Sequence, residues 1–245
     1  MSRVVLVTGA ARGIGAATVR ALLARGDRVV AVDQLDMTDT KDDSDQVTSC
    51  RADVRDREAL AAAVDLALEK WGRLDAAVAA AAVIAGGRPL WETPDADLDL
   101  LWDVDVKGVW NTAAATVPAL LAGPDPAGAR FVAVASAAAH HGLHHLAAYN
   151  AAKHAVVGLV KGLAADLVGT GVTACAVSPG STRTPMLQAT AALYGLDDVD
   201  AFAANQLLRR ILEPEEVAAT IAFCCSREAV ALNGSVVQAD GGFAP

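Results

Sequence analysis

Short valine-rich segments alternate with longer alanine-rich segments along the whole chain, and this alternation constrains the fold more than any other feature of the sequence. The short segments are apolar at almost every position, as strands buried on both faces are, and the longer segments have the length of helices. Such an alternation is typical of a doubly wound α/β fold, in which crossover helices cover both faces of a parallel sheet. We expect strands at Val4–Val7, Arg28–Val32, Val47–Cys50, Leu74–Ala79, Arg130–Ala135, Val172–Val177 and Ser235–Gln238. We expect helices at Gly13–Ala24, Asp56–Lys70, Asp97–Leu121, Ala147–Leu167 and Pro214–Cys225.

Composition and charge favour one globular domain over residues 1–245 and exclude several classes of protein. Hydrophobic residues make up 53% of the chain and charged residues 20%, which is too apolar a mixture for an intrinsically disordered chain. The 29 acidic and 20 basic residues give a net charge of −9, and the absence of a basic cluster argues against nucleic acid as a partner. The acidic stretch at residues 36–45 is expected to be a solvated loop.

Neither membrane insertion nor export is indicated by the sequence. The most apolar stretch, residues 76–85, is about half as long as a bilayer-spanning helix, and the first residues form no signal-peptide pattern. The cysteines are scattered in apolar segments without the spacing of a metal or disulfide site; they are Cys50, Cys175, Cys224 and Cys225. Thiols of this kind are typical of buried side chains in a reducing compartment. We therefore expect a cytoplasmic protein without a bound metal and without a membrane partner.

A glycine-rich segment, Thr8–Gly15, lies where the first predicted strand ends and the first helix begins. Its three glycines allow a tight turn and a close approach of backbone N–H groups to a pyrophosphate, and the helix N-terminus adds a partial positive charge. A glycine loop alone is weak evidence, but its place between a strand and a helix is typical of a dinucleotide site. The candidate cofactor-binding residues of this loop are Gly9, Arg12, Gly13, Ile14 and Gly15.

The end of the second strand favours NAD over NADP. Asp33 follows Gly15 at a distance typical of the acid that accepts hydrogen bonds from an adenosine ribose. A carboxylate there repels a 2′-phosphate, and the neighbouring Gln34 supplies no cation to hold one. Arg12 is the one nearby basic residue of the loop that weakens this choice.

Three residues downstream of the loop suggest carbonyl–alcohol chemistry. Tyr149 and Lys153 are four residues apart on a predicted helix, so their side chains share one face, and Ser136 ends the preceding strand. A tyrosine with a pKa of about 10 is a weak base, and lowering that pKa to about 7 takes roughly 4 kcal/mol. One ammonium about 4 Å away supplies about that much at an effective dielectric of about 20. We therefore expect Tyr149 as acid and base, Lys153 as its activator, and Ser136 as a donor to the substrate oxygen.

Taken together, these motifs resemble the short-chain dehydrogenase/reductase family over essentially the whole chain. The matching elements are Thr8-Gly9-x-x-x-Gly13-x-Gly15, Asp33, Asp53-Val54, Ser136, Tyr149-x-x-x-Lys153, Pro179-Gly180 and Asp240-Gly241-Gly242. The resemblance implies a Rossmann-type domain with a seven-stranded parallel sheet in the order 3-2-1-4-5-6-7. It also implies a homotetramer or a homodimer.

The same resemblance assigns further cofactor contacts. Asp53 and Val54 are expected to contact the adenine, and Thr182 and Thr184 the nicotinamide end, where the Pro179-Gly180 motif also lies. Tyr149 and Lys153 are expected to contact the cofactor as well as the substrate.

Two departures from the family pattern bear on the site. Residues 79–82 are all alanine where the family usually has Asn-Asn-Ala-Gly, so bracing hydrogen bonds are lost, although the backbone of Ala80 and Ala81 can still contact the cofactor. Asp105 replaces the family's helix asparagine, which is thought to hold a relay water for the lysine. We expect Asp105 to act as a fourth catalytic residue, either through its carbonyl or by pairing with Lys153. Asn111 is interpreted as an ordinary helix residue.

A finer resemblance links residues 84–93 and 177–186 to the mycofactocin-associated actinobacterial group of the family. Members of that group are thought to keep their nicotinamide cofactor bound and to pass electrons to a peptide-derived carrier. This resemblance implies alcohol oxidation as the physiological direction, with mycofactocin as a redox partner.

Two segments near the expected substrate site leave alternatives open. Four histidines lie between Ser136 and Tyr149, and they either line the substrate pocket, lie in a solvated or interfacial loop, or hold a metal; they are His140, His141, His144 and His145. Residues 185–210 form either a lid over a hydrophobic alcohol or a helical excursion that packs on a second subunit. Trp91 is expected to border the same pocket, and His154 to face away from it.

Three functions remain at this stage. The first is an NAD(H)-dependent oxidoreductase that interconverts an apolar alcohol and a carbonyl compound. The second is an NADPH-dependent 3-oxoacyl thioester reductase, which Asp33 opposes. The third is a non-catalytic NAD-binding scaffold, which the changes at residues 79–82 and at Asp105 make conceivable and the Ser136, Tyr149 and Lys153 set opposes.

Overall fold

The computed structural model describes residues 2–37 and 45–244, and in this part of the chain one parallel sheet forms the centre of the molecule. The acidic loop predicted at residues 36–45 lies outside the described residues at positions 38–44. The seven strands pair in the order β3-β2-β1-β4-β5-β6-β7, which confirms the predicted doubly wound sheet. The strands are β1 (Val4–Thr8), β2 (Arg28–Asp33), β3 (Val47–Arg51), β4 (Ala76–Ala79), β5 (Arg130–Val134), β6 (Thr173–Pro179) and β7 (Val236–Ala239).

Helices cover both faces of this sheet. The α-helices are α1 (Gly13–Ala24), α2 (Arg57–Trp71), α3 (Asp95–Leu101), α4 (Lys107–Ala122), α5 (Ala147–Asp166), α6 (Pro185–Leu193) and α7 (Pro214–Cys224). Helices α1 and α7 pack on one face and α2, α4 and α5 on the other, so the apolar core has two layers. Strands β1, β4 and β6 are buried at every position, which explains why their sequences are apolar throughout rather than alternating.

The helices differ in whether side chains cap the backbone N–H groups at their N-termini. Helix α2 is capped by Asp56, whose carboxylate accepts hydrogen bonds from the N–H groups of Glu58 and Ala59, both at 3.0 Å. Helix α7 begins with a capping box between Glu213 and Glu216. Helix α1, in contrast, has no side-chain cap and no acidic residue in its first turn, so its N–H groups remain available to an anion.

The helix predicted at residues 97–121 is not one continuous α-helix. It consists of α3 and α4 joined by a π-helical turn at Trp102–Val106. A π turn inserts one extra residue into the helical repeat and rotates the side chains within it. The result is that Asp105 points into the protein and is fully buried.

The predicted connection at residues 185–210 contains helix α6 and a 3₁₀ segment, Val199–Asn205. We call residues 185–205 the flap. The chain beyond the flap pairs with residues 240–244, which we call the C-terminal tail. Leu207 N–H donates to the Gly242 carbonyl at 2.9 Å, and Gln206 forms an isolated antiparallel β-bridge with Phe243. The flap and the tail therefore lie together above the carboxyl ends of the strands.

No helix in the described ranges combines the length and the hydropathy needed to cross a lipid bilayer.

Candidate active site

A cavity of about 500 Å³ lies at the carboxyl ends of the strands, where β1 and β4 continue the sheet in opposite directions. This is the place at which open α/β sheets bind their ligands. The structure brings around it every site residue proposed from the sequence except Asp105. These lining residues are Gly9, Arg12, Gly13, Ile14, Gly15, Asp33, Asp53, Val54, Ala80, Ala81, Ser136, Tyr149, Lys153, Pro179, Gly180, Thr182 and Thr184.

The glycine loop forms a cradle that only glycine can make. Gly9 has a φ of 70°, and a Cβ there would lie 2.7 Å from the Ala81 Cα. A Cβ on Gly15 would lie 2.0 Å from the Gly9 carbonyl oxygen. Since the uncapped end of α1 opens at the same point, the residues present fit the pyrophosphate of a dinucleotide.

Two backbone N–H groups, one of them in the glycine loop, hold the Asp33 carboxylate in place. Its Oδ2 accepts a hydrogen bond from Ala11 N–H at 3.0 Å, and its Oδ1 accepts one from Leu35 N–H at 2.9 Å. Arg12 lines the same end of the cavity. Arg51, which sequence reasoning missed, donates to the carbonyl of the residue after Asp33 at 3.1 Å and lies outside the cavity lining.

The segment expected at the adenine is braced from two sides. Asp53 pairs with Arg55 at 2.6 Å, and this hydrogen-bonded guanidinium holds the pKa of Asp53 below its usual value. Asn111 donates its side-chain N–H to the Val54 carbonyl at 3.0 Å. Asn111 is therefore a brace for this segment rather than the ordinary helix residue that we predicted.

Tyr149 and Lys153 point from α5 towards the end of β5, where Ser136 begins the next turn. The Lys153 Nζ lies 5.5 Å from the centre of the Tyr149 ring. Ser136 Oγ accepts a hydrogen bond from Ala138 N–H at 3.1 Å, so its own proton remains available to a substrate or to the tyrosine. The Tyr149 hydroxyl lies 4.0 Å from the Met186 Sδ on the flap.

Asp105 lies below this group rather than in the cavity. Its Oδ2 is 3.1 Å from the Lys153 Nζ, and both side chains are buried. Its Oδ1 accepts a hydrogen bond from Val83 N–H at 2.9 Å. Asp105 does not line the cavity, so a direct contact with substrate is not observed, and the pairing with Lys153 is the one of the two expected arrangements that the structure contains.

The all-alanine segment after β4 keeps its bracing by other means. The Thr8 hydroxyl accepts hydrogen bonds from the N–H groups of Ala80 and Ala81, at 3.2 Å and 3.4 Å. Asp105 holds the following Val83 N–H. Thr8 and Asp105 thus hold the backbone of the segment where the family's asparagine side chains are absent.

The electrostatics of Tyr149 differ from our expectation. Burial raises the pKa of Tyr149 above its usual value, Asp105 raises it further, and the opposing effects of Lys153 and Ser136 do not compensate. The predicted net lowering of this pKa is therefore wrong for the protein without cofactor, although Lys153 acts in the expected direction. Burial also disfavours the ammonium of Lys153, but Asp105 and Tyr149 outweigh it, so the pKa of Lys153 is raised.

The four histidines between Ser136 and Tyr149 divide between different surroundings. His144 lines the cavity, and its ring stacks on that of His145 with 3.6 Å between centroids. His140 hydrogen-bonds to the Ser178 hydroxyl at 3.1 Å, and His141 contacts the Phe243 ring. Within residues 2–37 and 45–244, no three or more His, Cys, Asp or Glu side chains are grouped so that they could hold a metal ion.

A second group of lining residues forms what we call the substrate side of the cavity. They come from the loop before α5, the flap and the C-terminal tail, and they are Leu143, His144, Leu146, Met186, Leu187, Thr190, Tyr194, Phe202, Asn205 and Phe243. Sequence reasoning missed Asn205 and Phe243, because only the long-range pairing of flap and tail brings them to the site. Trp91, which was expected at the pocket, is 81% exposed and does not line it.

Comparison with known proteins agrees with this fold. The family model described as enoyl-(acyl carrier protein) reductase matches residues 9–244. The cis-4-hydroxycyclohexanecarboxylate dehydrogenase of Sinomonas cyclohexanicum is 35% identical, covering 98% of this chain and 96% of its own. The (−)-trans-carveol dehydrogenase of Rhodococcus erythropolis is 32% identical, with 98% and 96% covered. The structure of a 3-ketoacyl-(acyl-carrier-protein) reductase from Brucella melitensis complexed with NADH has a TM-score of 0.87 at 28% identity, with 98% and 97% covered.

The chain belongs to the short-chain dehydrogenase/reductase family. Within that family it is an oxidoreductase, as its dehydrogenase and reductase relatives are.

Proposed function

We propose that this protein is an NAD(H)-dependent oxidoreductase that interconverts an alcohol and a carbonyl compound. The observation that carries the proposal is the grouping of Ser136, Tyr149 and Lys153 in one cavity with a glycine cradle and an uncapped helix N-terminus. NAD bound there would accept or donate the hydride. The chain's own residues would hold the oxygen and move its proton.

Each catalytic side chain has a separate task in this proposal. Ser136 donates a hydrogen bond to the substrate oxygen. Tyr149 donates a proton to a carbonyl or takes one from an alcohol, and Lys153 stabilises the tyrosinate. Since the pKa of Tyr149 lies above its usual value, the tyrosine is protonated at neutral pH, so carbonyl reduction runs there and alcohol oxidation increases towards alkaline pH. The test is the change in NADH absorbance with a panel of neutral alcohols and ketones; no turnover in either direction would contradict the proposal.

The cofactor preference rests on Asp33. We expect Asp33→Asn to lower the ratio of kcat/KM with NAD to kcat/KM with NADP by about tenfold or more, because the change removes the charge that repels a 2′-phosphate. An asparagine keeps one of the two acceptor oxygens that hold the N–H groups of Ala11 and Leu35. Steady-state kinetics with both cofactors measure the ratio.

The matched control for this change is Asp36→Asn, which removes the same charge from an exposed side chain outside the cavity. An unchanged ratio in the Asp33 variant, or an equal change in both variants, would show that Asp33 does not select the cofactor.

Two other functions are less well supported. A 3-oxoacyl thioester reductase is suggested by the name of the B. melitensis neighbour, but the flap carries exposed Asp197 and Asp198, which repel the phosphates of a coenzyme A thioester. A non-catalytic scaffold would not need Tyr149 and Lys153 buried beside Ser136. Turnover of an acetoacetyl thioester faster than that of neutral ketones would favour the first of these alternatives.

We also propose that the chain assembles with itself as a homodimer or a homotetramer. Helix α5 presents Gly158 and Gly162 outwards, and a Cβ at either position would meet no atom within 4 Å. Glycine inside a helix costs about 1 kcal/mol relative to alanine, and nothing in the described part of the same chain requires it there. Exposed Trp110 and Leu121 lie on α4 of the same sheet face, so a second copy packed on this face would cover apolar surface.

This assembly predicts that Gly158→Leu produces smaller particles than the unmodified protein. A leucine there keeps the two α5 helices apart at the proposed interface, and light scattering coupled to size-exclusion chromatography measures the mass. The control is Ala62→Leu on the exposed surface of α2. Equal masses for both variants and the unmodified protein would contradict an α5 interface.

The resemblance to the mycofactocin-associated group supports a retained cofactor with mycofactocin as electron acceptor. The loop before α5 is joined to its neighbours at the cavity by two hydrogen bonds, in which Gly87 N–H donates to the His145 carbonyl at 2.8 Å and the Tyr194 hydroxyl donates to the His144 carbonyl. We expect near-stoichiometric NAD or NADH on denaturing the desalted protein, quantified by mass spectrometry. Release of little or no nucleotide would instead indicate ordinary exchangeable binding.

The cellular setting that we propose is the cytoplasm. The four cysteines are unpaired, and three of them are buried. We further propose that residues 1–245 form one domain, since one sheet carries both the cofactor residues and the catalytic residues.

A further inference from the structure

The substrate side of the cavity differs from the cofactor side in charge. The aspartate, lysine and arginine side chains that line the cavity in the described part of the chain are Arg12, Asp33, Asp53 and Lys153. All four lie at the glycine loop, at the expected adenine site or beside Tyr149. The substrate side therefore offers no fixed countercharge, and bringing a carboxylate or an ammonium there would leave it without a partner in a largely apolar space.

Two of the four polar side chains on the substrate side, Thr190 and Tyr194, use their hydroxyl protons within the protein. The Thr190 hydroxyl donates to the Met186 carbonyl at 2.8 Å. The Tyr194 hydroxyl donates to the His144 carbonyl. The His144 ring stacks on His145 and is exposed at the entrance.

Asn205 differs from Thr190 and Tyr194, because its side-chain amide has no hydrogen-bond partner among the described residues, and it differs from the exposed His144, because it is half-buried in the cavity lining. Its backbone is firmly held: its carbonyl accepts from Ala244 N–H at 2.8 Å, and the next residue, Gln206, is fully buried. A rigid backbone with a free amide is a preorganised polar contact in an otherwise apolar wall.

We propose that the substrate is an uncharged alcohol or ketone with a second oxygen, and that the Asn205 amide binds that oxygen. This inference rests on the proposed function, since it takes Tyr149 and Ser136 to hold the reacting oxygen. The amide both donates and accepts hydrogen bonds, so the second oxygen can be a hydroxyl or a carbonyl. The apolar residues Met186, Phe202 and Phe243 surround the carbon skeleton between the two oxygens.

The test compares ketones that differ only in the second group. Cyclohexanone has none, 2-, 3- and 4-hydroxycyclohexanone vary the distance between the two oxygens, and 4-oxocyclohexanecarboxylate carries a charge. We expect at least one hydroxyketone to exceed cyclohexanone by about tenfold in kcat/KM, as one hydrogen bond to the half-buried Asn205 amide supplies. We expect the carboxylate to be no better than cyclohexanone.

Asn205→Leu should remove that advantage, so that the ratio of kcat/KM between the best hydroxyketone and cyclohexanone falls to about one. The matched control is Gln188→Leu, which exchanges an amide for a leucine on the exposed surface of α6 outside the cavity and should leave the ratio unchanged. Equal values for all ketones, a preference for the carboxylate, or an equal loss for both ketones in Asn205→Leu would overturn the inference.

Failure of the proposed function has a different signature, namely no turnover of any ketone with NADH. The inference is then decided by affinity, with the same ketones titrated by calorimetry into the NADH-loaded protein and into the Asn205→Leu variant. Tighter binding of a hydroxyketone that the variant loses supports it, and equal affinities overturn it.

Discussion

Tyr149→Phe should fold normally and bind NADH but lose turnover by about 100- to 10,000-fold, the range that general acid–base catalysis contributes. Phenylalanine keeps the ring, which packs against Leu146 and Ala152 in the apolar cluster below the cavity, and removes only the hydroxyl. The loss should be in kcat, because the hydroxyl moves the proton in the transition state. Circular dichroism and NADH fluorescence check folding and binding, and steady-state kinetics measure the loss.

The control is the same substitution at Tyr194, the only other tyrosine of the chain. Its hydroxyl donates to the His144 carbonyl at the entrance, so Tyr194→Phe removes one hydrogen bond and should lower kcat/KM by at most about tenfold. Turnover of Tyr149→Phe at the level of the unmodified protein would reject the mechanism. A variant that folds but no longer binds NADH would assign the hydroxyl to the cofactor instead.

The sheet and the family could be predicted because their signals are local and redundant. Strands buried on both faces are apolar throughout, as in β1 and β6, and the glycine loop must lie where a strand meets a helix. The predicted strand order is confirmed. The observed strand ends differ from the predicted ones by one or two residues, since the ends of strands carry no sharp sequence signal.

The π turn at Trp102–Val106 could not be predicted, because one extra residue in a helix leaves an ordinary apolar pattern on both sides. Its consequence is specific: it directs Asp105 to Lys153. The pairing of these two side chains was one of the alternatives foreseen from the substitution at position 105. That Asp105 lies below the cavity could be seen only in the structure.

The pKa of Tyr149 shows a different limit. The sequence gives the identity and spacing of Lys153, and hence the sign of its effect, but burial cannot be read from spacing. Burial and the charge of Asp105 together outweigh the effect of the lysine on the pKa of Tyr149. Similarly, Asn205 and Phe243 reach the cavity through the pairing of Gln206 with the C-terminal tail, a contact that no local pattern indicates.

The second large effect is expected at the buried ion pair. Asp105→Asn and Lys153→Met should each lower the free energy of unfolding by about 3–5 kcal/mol, because each change leaves one buried charge without its partner. Asp105 is 0% and Lys153 2% exposed, so little solvent reaches the charge that remains. The double variant should lose less than the sum of the two single losses, and urea denaturation of all four proteins gives this coupling.

A matched control lies beside the buried pair, since Asp103 belongs to the same π turn as Asp105. Asp103 and Lys107 form an ion pair at 2.6 Å, shorter than the buried pair at 3.1 Å, but both side chains are largely exposed to solvent. Asp103→Asn and Lys107→Met should therefore each change the free energy of unfolding by no more than about 0.5 kcal/mol. Equal losses at the two pairs would show that burial does not determine the effect.

A purely structural role for Asp105 can be separated from a positioning role by the pH dependence of activity. Asp105 raises the pKa of Tyr149, so Asp105→Asn should lower that pKa while Lys153 keeps its proton. Alcohol oxidation needs the tyrosinate as base, and its kcat/KM rises with pH through the pKa of Tyr149. We therefore expect this rise to move to lower pH in Asp105→Asn. A lower rate with an unmoved pH profile would mean that Asp105 supports the fold around Val83 and Lys153 without setting the charge of the tyrosine.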